Sequence, residues 1–217
     1  MSESIFDLSF DEMPTILPVL PFADMFLFPQ TKLQLRLSET RYVNLVLNAL
    51  SHGRILGVVQ PAAHENQAEK LYRTGCAGRV SGFSETQDDC LAVTLTGVAR
   101  FDCVREIQDF KGYRRIETDF SRFKDDFNPP VFKRDLSALF KALDLYAYSN
   151  KIDVDSSVFK KTAPAETLSA IVQNLPFQAA EKQAFLESVS LDERYDTLLF
   201  MLNSSATDAG VKKAGFC

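Results

Sequence analysis

Side chains of the types and spacing that could support catalysis are few in this sequence of 217 residues. The two histidines, His52 and His64, lie in no recognisable catalytic motif, and the GxSxG motif of serine hydrolases is absent. A serine nucleophile needs a base within hydrogen-bond reach before it can attack a carbonyl carbon. We therefore predict that the chain is not an enzyme.

Metal and cofactor sites are not expected either. Neither HExxH nor CxxC occurs, so a zinc ion would need four ligands gathered from scattered parts of the chain. We expect reduced thiols at the four cysteines, Cys76, Cys90, Cys103 and Cys217. The phosphate-binding motif GxxxxGK[ST] is absent, and residues 75–78, with only two glycines, predict a tight β-turn instead.

Two pairs of adjacent carboxylates, at residues 88–89 and 125–126, are further candidates for acid–base or metal chemistry. Both pairs fall where turns are expected, and adjacent side chains on an extended chain point to opposite faces. We therefore expect a solvated hairpin tip at residues 86–89 and no catalytic pair.

The charge balance argues against nucleic acid as the partner. The net charge is −5, and no segment has the basic footprint that phosphate binding usually requires. Arg114 and Arg115, which follow Tyr113, could contact RNA by stacking and phosphate pairing. In an acidic chain such arginines are more often solvated or salt-bridged, so RNA binding is kept only as an alternative.

A membrane span is not predicted. The longest apolar stretch, residues 16–28, contains Pro18, Pro21 and Asp24, and it is shorter than the roughly 20 apolar residues that a spanning helix needs. The acidic N-terminus lacks the positive region of a signal peptide. We expect a cytoplasmic protein.

Three phenylalanines in one run are the candidate peptide-binding residues. Phe22, Phe26 and Phe28 share one face if residues 21–29 are extended. Such rings either pack in the core or form an exposed apolar patch, and a patch of this kind could bind unfolded protein segments.

The predicted secondary structure that positions these residues changes from strands to helices near Asn128. Residues 14–127 contain short apolar runs separated by Gly and Pro, which is typical of a β-rich barrel, with one helix over residues 39–51. After residues 128–130 the apolar spacing becomes 3.6, which predicts helices at 131–150, 166–175, 179–189 and 191–203. Ser190 and Glu193 have the spacing of a capping box.

This order favours an α+β fold. We predict a flexible lead-in at residues 1–13, a β-rich lobe at 14–127, a helical bundle at 128–203 and a frayed tail at 204–217.

The same sequence resembles a known family. Residues 17–29, LPVLPFADMFLFP, resemble the opening of the N-terminal substrate-binding domain of Lon proteases, roughly LPVLPLRDxVLFPG. The resemblance covers about residues 14–203, and it continues in shorter blocks at residues 38–42, 57–61, 71–80, 97–101, 113–115, 175–177, 181–183 and 191–194.

The resemblance implies a PUA-like β pseudo-barrel followed by a C-terminal α-helical bundle. It also implies a non-catalytic, ATP-independent module that binds exposed hydrophobic protein segments or works with a protease or chaperone. A chain of 217 residues has no room for the ATPase and protease parts of Lon, so we expect a stand-alone member. The alternatives are an RNA-binding PUA-like protein and a small-ligand receptor or enzyme with a pocket between the lobes.

Within this family pattern some residues have expected structural roles. Arg41 is expected to pair with Glu39, with Asp24 or with backbone carbonyls, and Tyr42 to pack under the barrel. Gly75, Gly78 and Gly97 are expected to lie at turns or bulges.

Departures from the family pattern cluster at the corner before the predicted helix. Gln30 stands where the family has glycine, which predicts a different turn geometry because glycine tolerates a positive φ at low cost. Gln34 and Thr40 stand where prolines are usual, and Ser38 replaces an aromatic residue.

Overall fold

The structure is a computed structural model that describes residues 8–62, 70–88, 90–110 and 112–214, without side chains at 108–110, 160–161 and 205–214. The chain divides into two compact units between Asn128 and Pro129. His64, Asp89 and Cys217, which the sequence analysis considered, lie outside the described residues.

The first unit is strand-rich and its sheet closes on itself. Its elements are β1 (Ile16–Leu20), β2 (Lys32–Leu37), α1 (Thr40–Ser51), β3 (Ile55–Val58), β4 (Pro61–Ala62), β5 (Lys70–Leu71), β6 (Thr74–Glu85), β7 (Leu91–Phe110) and β8 (Tyr113–Asp119). Six strands follow the order β2-β7-β6-β3-β1-β8, and β8 also pairs with β7. That second pairing makes the unit a pseudo-barrel. Only the β1–β3 pair in this sheet is parallel.

The barrel encloses an apolar core because side chains on each strand alternate between its two faces. In β2, Leu35 and Leu37 are buried while Gln34 and Arg36 are exposed. The core cluster includes Leu17, Val19, Ile55, Phe101 and Ile116. The burial of these residues, which come from four different strands, contributes apolar stabilisation to the unit.

Gly75 and Gly78 lie inside strand β6 and not in the tight turn that the sequence predicted. A Cβ atom at Gly75 would lie 2.7 Å from Val59, and one at Gly78 would lie 2.5 Å from Leu27. Gly75 is needed, since a Cβ atom there would also lie 2.8 Å from the Val58 carbonyl oxygen, whereas a Cβ atom at Gly78 would displace the end of the buried Leu27 side chain. The β6–β7 register shifts at Ala77/Gly78, which marks a bulge.

Gly97 brings strand β7 against the segment that precedes β2. A Cβ atom here would collide with the carbonyl oxygen of Phe28. The Gly97 amide donates to the Thr31 carbonyl at 2.8 Å, and the Gln30 amide donates to the Gly97 carbonyl at 2.9 Å. Gln30 itself has a φ of 66°, so the turn keeps the left-handed geometry that glycine would adopt. The expectation of a different turn was wrong, because these hydrogen bonds hold the glutamine in that conformation.

The lead-in is partly ordered, contrary to the expectation for residues 1–13. Phe10–Glu12 form a 3-10 helix whose first turn is closed by a capping box between Ser9 and Glu12. The Phe10 ring packs edge-on against Phe127 at 5.8 Å, and Met13 is buried in the barrel core. These apolar contacts order the described part of the segment.

The second unit is helical: α2 (Ser137–Asn150), α3 (Pro164–Asn174), α4 (Ala179–Glu187) and α5 (Leu191–Ala214), with a 3-10 helix at Ser156–Lys161. The predicted capping box is confirmed, since the Glu193 amide donates to Ser190 Oγ at 3.1 Å and the Glu193 carboxylate accepts from the Ser190 amide.

Two helix boundaries differ from the prediction by more than two residues. Helix α2 begins at Ser137 and not near Val131, because Asp135 Oδ1 accepts the Ser137 amide and so caps the first turn there. Helix α5 continues to Ala214, so residues 204–214 are helical and do not form the predicted tail. Alanine, which occurs three times in residues 204–214, has the highest helix propensity, and this segment contains no proline.

Candidate functional site

The segment with the three candidate phenylalanines forms no regular strand. Phe26 and Phe28 are buried, with 4% and 0% of their surface exposed, and their rings stack with centroids 6.1 Å apart. Phe22 is half-exposed and packs edge-on against Tyr42 at 4.8 Å. Of the two alternatives considered for these rings, Phe26 and Phe28 therefore follow core packing. Asp24 has a φ of 62°, so the chain turns between Phe22 and Phe26 and residues 21–29 are not one continuous extended run.

The large apolar side chain of this segment that is exposed is that of Met25, with 43% of its surface accessible. The buried side chain of Gln60 forms hydrogen bonds with the backbone of this segment. Gln60 Nε2 donates to the Met25 carbonyl at 2.5 Å, and Gln60 Oε1 accepts the Asp24 amide at 2.9 Å. Residues 22–25, which we call the Met25 loop, therefore present Met25 and part of Phe22 on a fixed backbone.

Sequence reasoning missed both Met25 and Gln60. One signal was present in the sequence, since Gln60 is a polar residue directly after the apolar run of β3. A buried amide side chain needs hydrogen-bond partners, and irregular segments supply unpaired backbone groups. Which segment would supply them was not visible from the sequence.

The motif residues at the start of α1 have structural contacts. Of the partners considered for Arg41, the structure shows Glu39, at 2.8 Å, and both side chains are exposed. The Arg41 guanidinium also lies 4.6 Å from the centroid of the Tyr42 ring. Tyr42 is buried on the side of α1 that faces the barrel. Asp24 contributes its backbone amide to Gln60 and makes no ion pair with Arg41 in the structure.

Two of the other charged candidates, Arg114 and Asp88, form ion pairs within the first unit. Arg114 forms a two-pronged ion pair with Glu106, with both N–O distances at 2.6 Å, so it is not directed at a phosphate. Asp88 lies in the β6–β7 turn and pairs with Arg36 at 2.5 Å. A hydrogen bond from Thr86 is the main cause that lowers the pKa of the Asp88 carboxyl. These contacts favour structural roles.

Metal and thiol chemistry find no support in the described part of the chain. No group of three described His, Cys, Asp or Glu side chains could hold a metal ion. Burial raises the pKa of the Cys103 thiol to about 12, so it stays protonated and is a poor nucleophile at neutral pH. In the same described ranges, no helix has the length and apolarity needed to span a membrane.

A closed β-rich unit followed by a helical unit places the chain in the α+β class. Residues 16–204 match the family model described as the ATP-dependent protease La (LON) substrate-binding domain, and the chain belongs to this family. The matched domain is the substrate-binding part of that protease and not its catalytic part.

Relatives and solved structures agree with this assignment. The chain is 26% identical over 198 residues to a Lon protease of Anaeromyxobacter dehalogenans and 25% identical over 199 residues to Lon protease 2 of Myxococcus xanthus. Each alignment covers 89% of this chain but 24% of the relative, so the chain spans about a quarter of the length of these proteins.

Two solved structures show the same fold. A Lon N-terminal domain protein from Xanthomonas campestris superposes with a TM-score of 0.62 at 20% identity, covering 86% of this chain and 98% of that one. The N-terminal domain of the Mycobacterium avium complex Lon protease gives 0.64 at 15% identity, covering 87% and 98%. The predicted α+β class with a pseudo-barrel and a helical bundle is confirmed.

Proposed function

We propose that this chain is a non-catalytic module that binds exposed apolar segments of protein substrates through the Met25 loop. The observation that carries the proposal is Met25 itself: its side chain is accessible while its carbonyl is held by buried Gln60. Family membership supplies the second support, because the matched domain is a substrate-binding domain.

The chemistry of the loop suits varied apolar partners. Methionine is unbranched and polarisable, so it adapts to differently shaped apolar side chains. A backbone that is already fixed loses little conformational entropy on binding. The neighbouring half-exposed Phe22 packs edge-on against Tyr42 and extends the apolar surface beside Met25.

Delivery of the bound segment to a protease or chaperone in the cytoplasm is part of the same proposal. Its support is that the relatives are Lon proteases. RNA binding has less support, because Arg114 is engaged with Glu106.

The test is fluorescence anisotropy with a labelled, permanently unfolded polypeptide and the full chain. Met25→Ser is expected to weaken binding about five- to tenfold, the amount expected for part of a buried methionine side chain. Val104→Ser is the matched control, since Val104 is an exposed apolar residue of the same unit on β7. Equal affinities for wild type and Met25→Ser would contradict the proposal.

A further inference from the structure

A separate cavity of about 260 Å³ lies within the helical unit, far along the chain from the Met25 loop. Its floor is formed by buried apolar side chains of α2, of α3 and of Leu175, the residue that follows α3. Its other side is formed by the segment that follows α2 and by the 3-10 helix. The lining residues that matter here are Leu143, Ile171 and Leu175 on the floor and Ile152, Val154 and Val158 at the mouth.

The size and lining of this cavity favour a single apolar side chain. Sites for small molecules and cofactors usually have about 300–1,000 Å³, which is more than this cavity offers. A buried leucine or phenylalanine side chain gains about 1.5–3 kcal/mol from the removal of its apolar surface from water. Val158 leaves 64% of its own surface exposed at the mouth, so the cavity is open to a side chain from outside.

The charged residues of the lining are both carboxylates, Asp153 and Asp155. Asp155 Oδ1 accepts the Ser157 amide at 2.9 Å and so caps the 3-10 helix. Asp153 is exposed and makes no hydrogen bond or ion pair with any residue that the structure describes. Lys151 precedes these residues at the left-handed end of α2 but does not line the cavity.

The geometry points to a second recognition pocket, which takes one bulky aliphatic or aromatic side chain of an extended protein segment with a lysine or arginine beside it. The apolar floor holds the side chain, and Asp153 attracts the neighbouring cation. The acidic mouth disfavours carboxylate-bearing small molecules and acidic segments by the same electrostatics. This inference rests on the proposed function only in that the chain binds protein segments, and it concerns a different unit.

The test uses the full chain with labelled isoleucine, leucine and valine methyl groups, followed by NMR during titration with short peptides. One peptide carries Lys-Leu at its centre, a second carries Glu-Leu and a third carries Lys-Ser. The Lys-Leu peptide is expected to shift the methyl signals of Ile152, Val158 and Ile171. Its dissociation constant should be about two- to fivefold lower than that of the Glu-Leu peptide, as for an exposed ion pair. The Lys-Ser peptide should leave these signals unchanged.

Matched variants separate the apolar and the electrostatic contributions. Asp153→Asn should remove the difference between the Lys-Leu and Glu-Leu peptides, while Asp144→Asn, on an exposed carboxylate of α2 outside the lining, should preserve it. Val158→Gln should weaken binding of the Lys-Leu peptide about three- to tenfold. Val131→Gln, at an exposed valine of the same unit, should not.

Three outcomes would overturn the inference: unchanged lining methyl signals, equal affinity for Lys-Leu and Glu-Leu, or equal effects of the lining and control variants. The two proposals fail separately. If Met25→Ser binds the unfolded polypeptide as tightly as wild type while the methyl signals of the cavity lining still shift, only the proposal for the Met25 loop is refuted. If Met25→Ser weakens binding while those methyl signals do not shift, only the second pocket is refuted.

Discussion

The guanidinium of Arg100 and the carboxylate of Asp126 form an ion pair inside the barrel unit, with 1% and 0% of the two side chains exposed. Asp126 accepts three hydrogen bonds from Arg100: from its backbone amide at 2.9 Å, from Nε at 2.8 Å and from Nη2 at 2.7 Å. The guanidinium also lies 4.4 Å from the centroid of the Phe123 ring. The pair joins strand β7 to the 3-10 helix Ser121–Asp126, which ends the barrel unit.

Asp126→Ala is expected to destabilise the chain strongly, because it leaves the buried Arg100 guanidinium without its anion. Breaking such a pair from one side costs about 3–5 kcal/mol. Urea unfolding of the barrel unit, followed by circular dichroism, measures the change in the free energy of unfolding. Asp125→Ala, at the exposed neighbouring carboxylate, is the control and should change this free energy by less than about 0.5 kcal/mol. Equal losses in both variants would show that the buried pair has no special role.

Gln30→Gly should stabilise the chain by about 0.5–1 kcal/mol, because glycine adopts a positive φ without the steric cost that a side chain incurs. Gln34→Gly, in strand β2, should instead destabilise it by about 0.5–1 kcal/mol. Because the two variants should change the free energy of unfolding in opposite directions, thermal or urea unfolding of both variants tests the prediction directly. A destabilised Gln30→Gly would mean that the side chain of Gln30 contributes more than its backbone strain costs.

Gln60→Leu is expected to loosen the Met25 loop without opening the barrel. The Asp24 amide and the Met25 carbonyl lose their partner, which costs about 1–3 kcal/mol for unsatisfied groups that stay buried. Hydrogen exchange should accelerate at residues 22–25, while amides of β6 and β7 keep their protection. Substrate affinity should fall along with this local order. Unchanged exchange at residues 22–25 would argue against the role of Gln60.

The Cys103 thiol should resist alkylation at mildly alkaline pH in the folded chain. Burial raises its pKa to about 12, so at pH 8.5 the folded chain holds far less thiolate than the unfolded chain, in which roughly half of the thiol is ionised. Iodoacetamide labelling followed by mass spectrometry should modify Cys103 in urea but not in buffer. The Cys103 thiol stays protonated to a higher pH in the folded state than in the unfolded state. The contribution of this thiol to stability is therefore complete below about pH 8.5 and is lost as the pH rises towards 12. Cys103→Ala should therefore show a smaller fall in unfolding free energy over that range than wild type.

Features formed by residues close together in the chain were predictable. The capping box of Ser190 and Glu193 depends on a spacing of three residues, and the alternation in β2 depends on neighbouring side chains pointing to opposite faces. The change of apolar period near Asn128 likewise reports local backbone geometry. These features need no knowledge of what packs against them.

By itself, the sequence determined the α+β class, the order of a strand-rich half before a helical half, and the family resemblance. The tertiary structure alone decided that Phe26 and Phe28 are buried while Met25 is exposed, and that Gln60 and Asp126 find partners far away in the chain. The physical reason is that burial and pairing depend on which distant segment covers a side chain. Local spacing restricts the backbone of a segment, but it does not specify its neighbours in space.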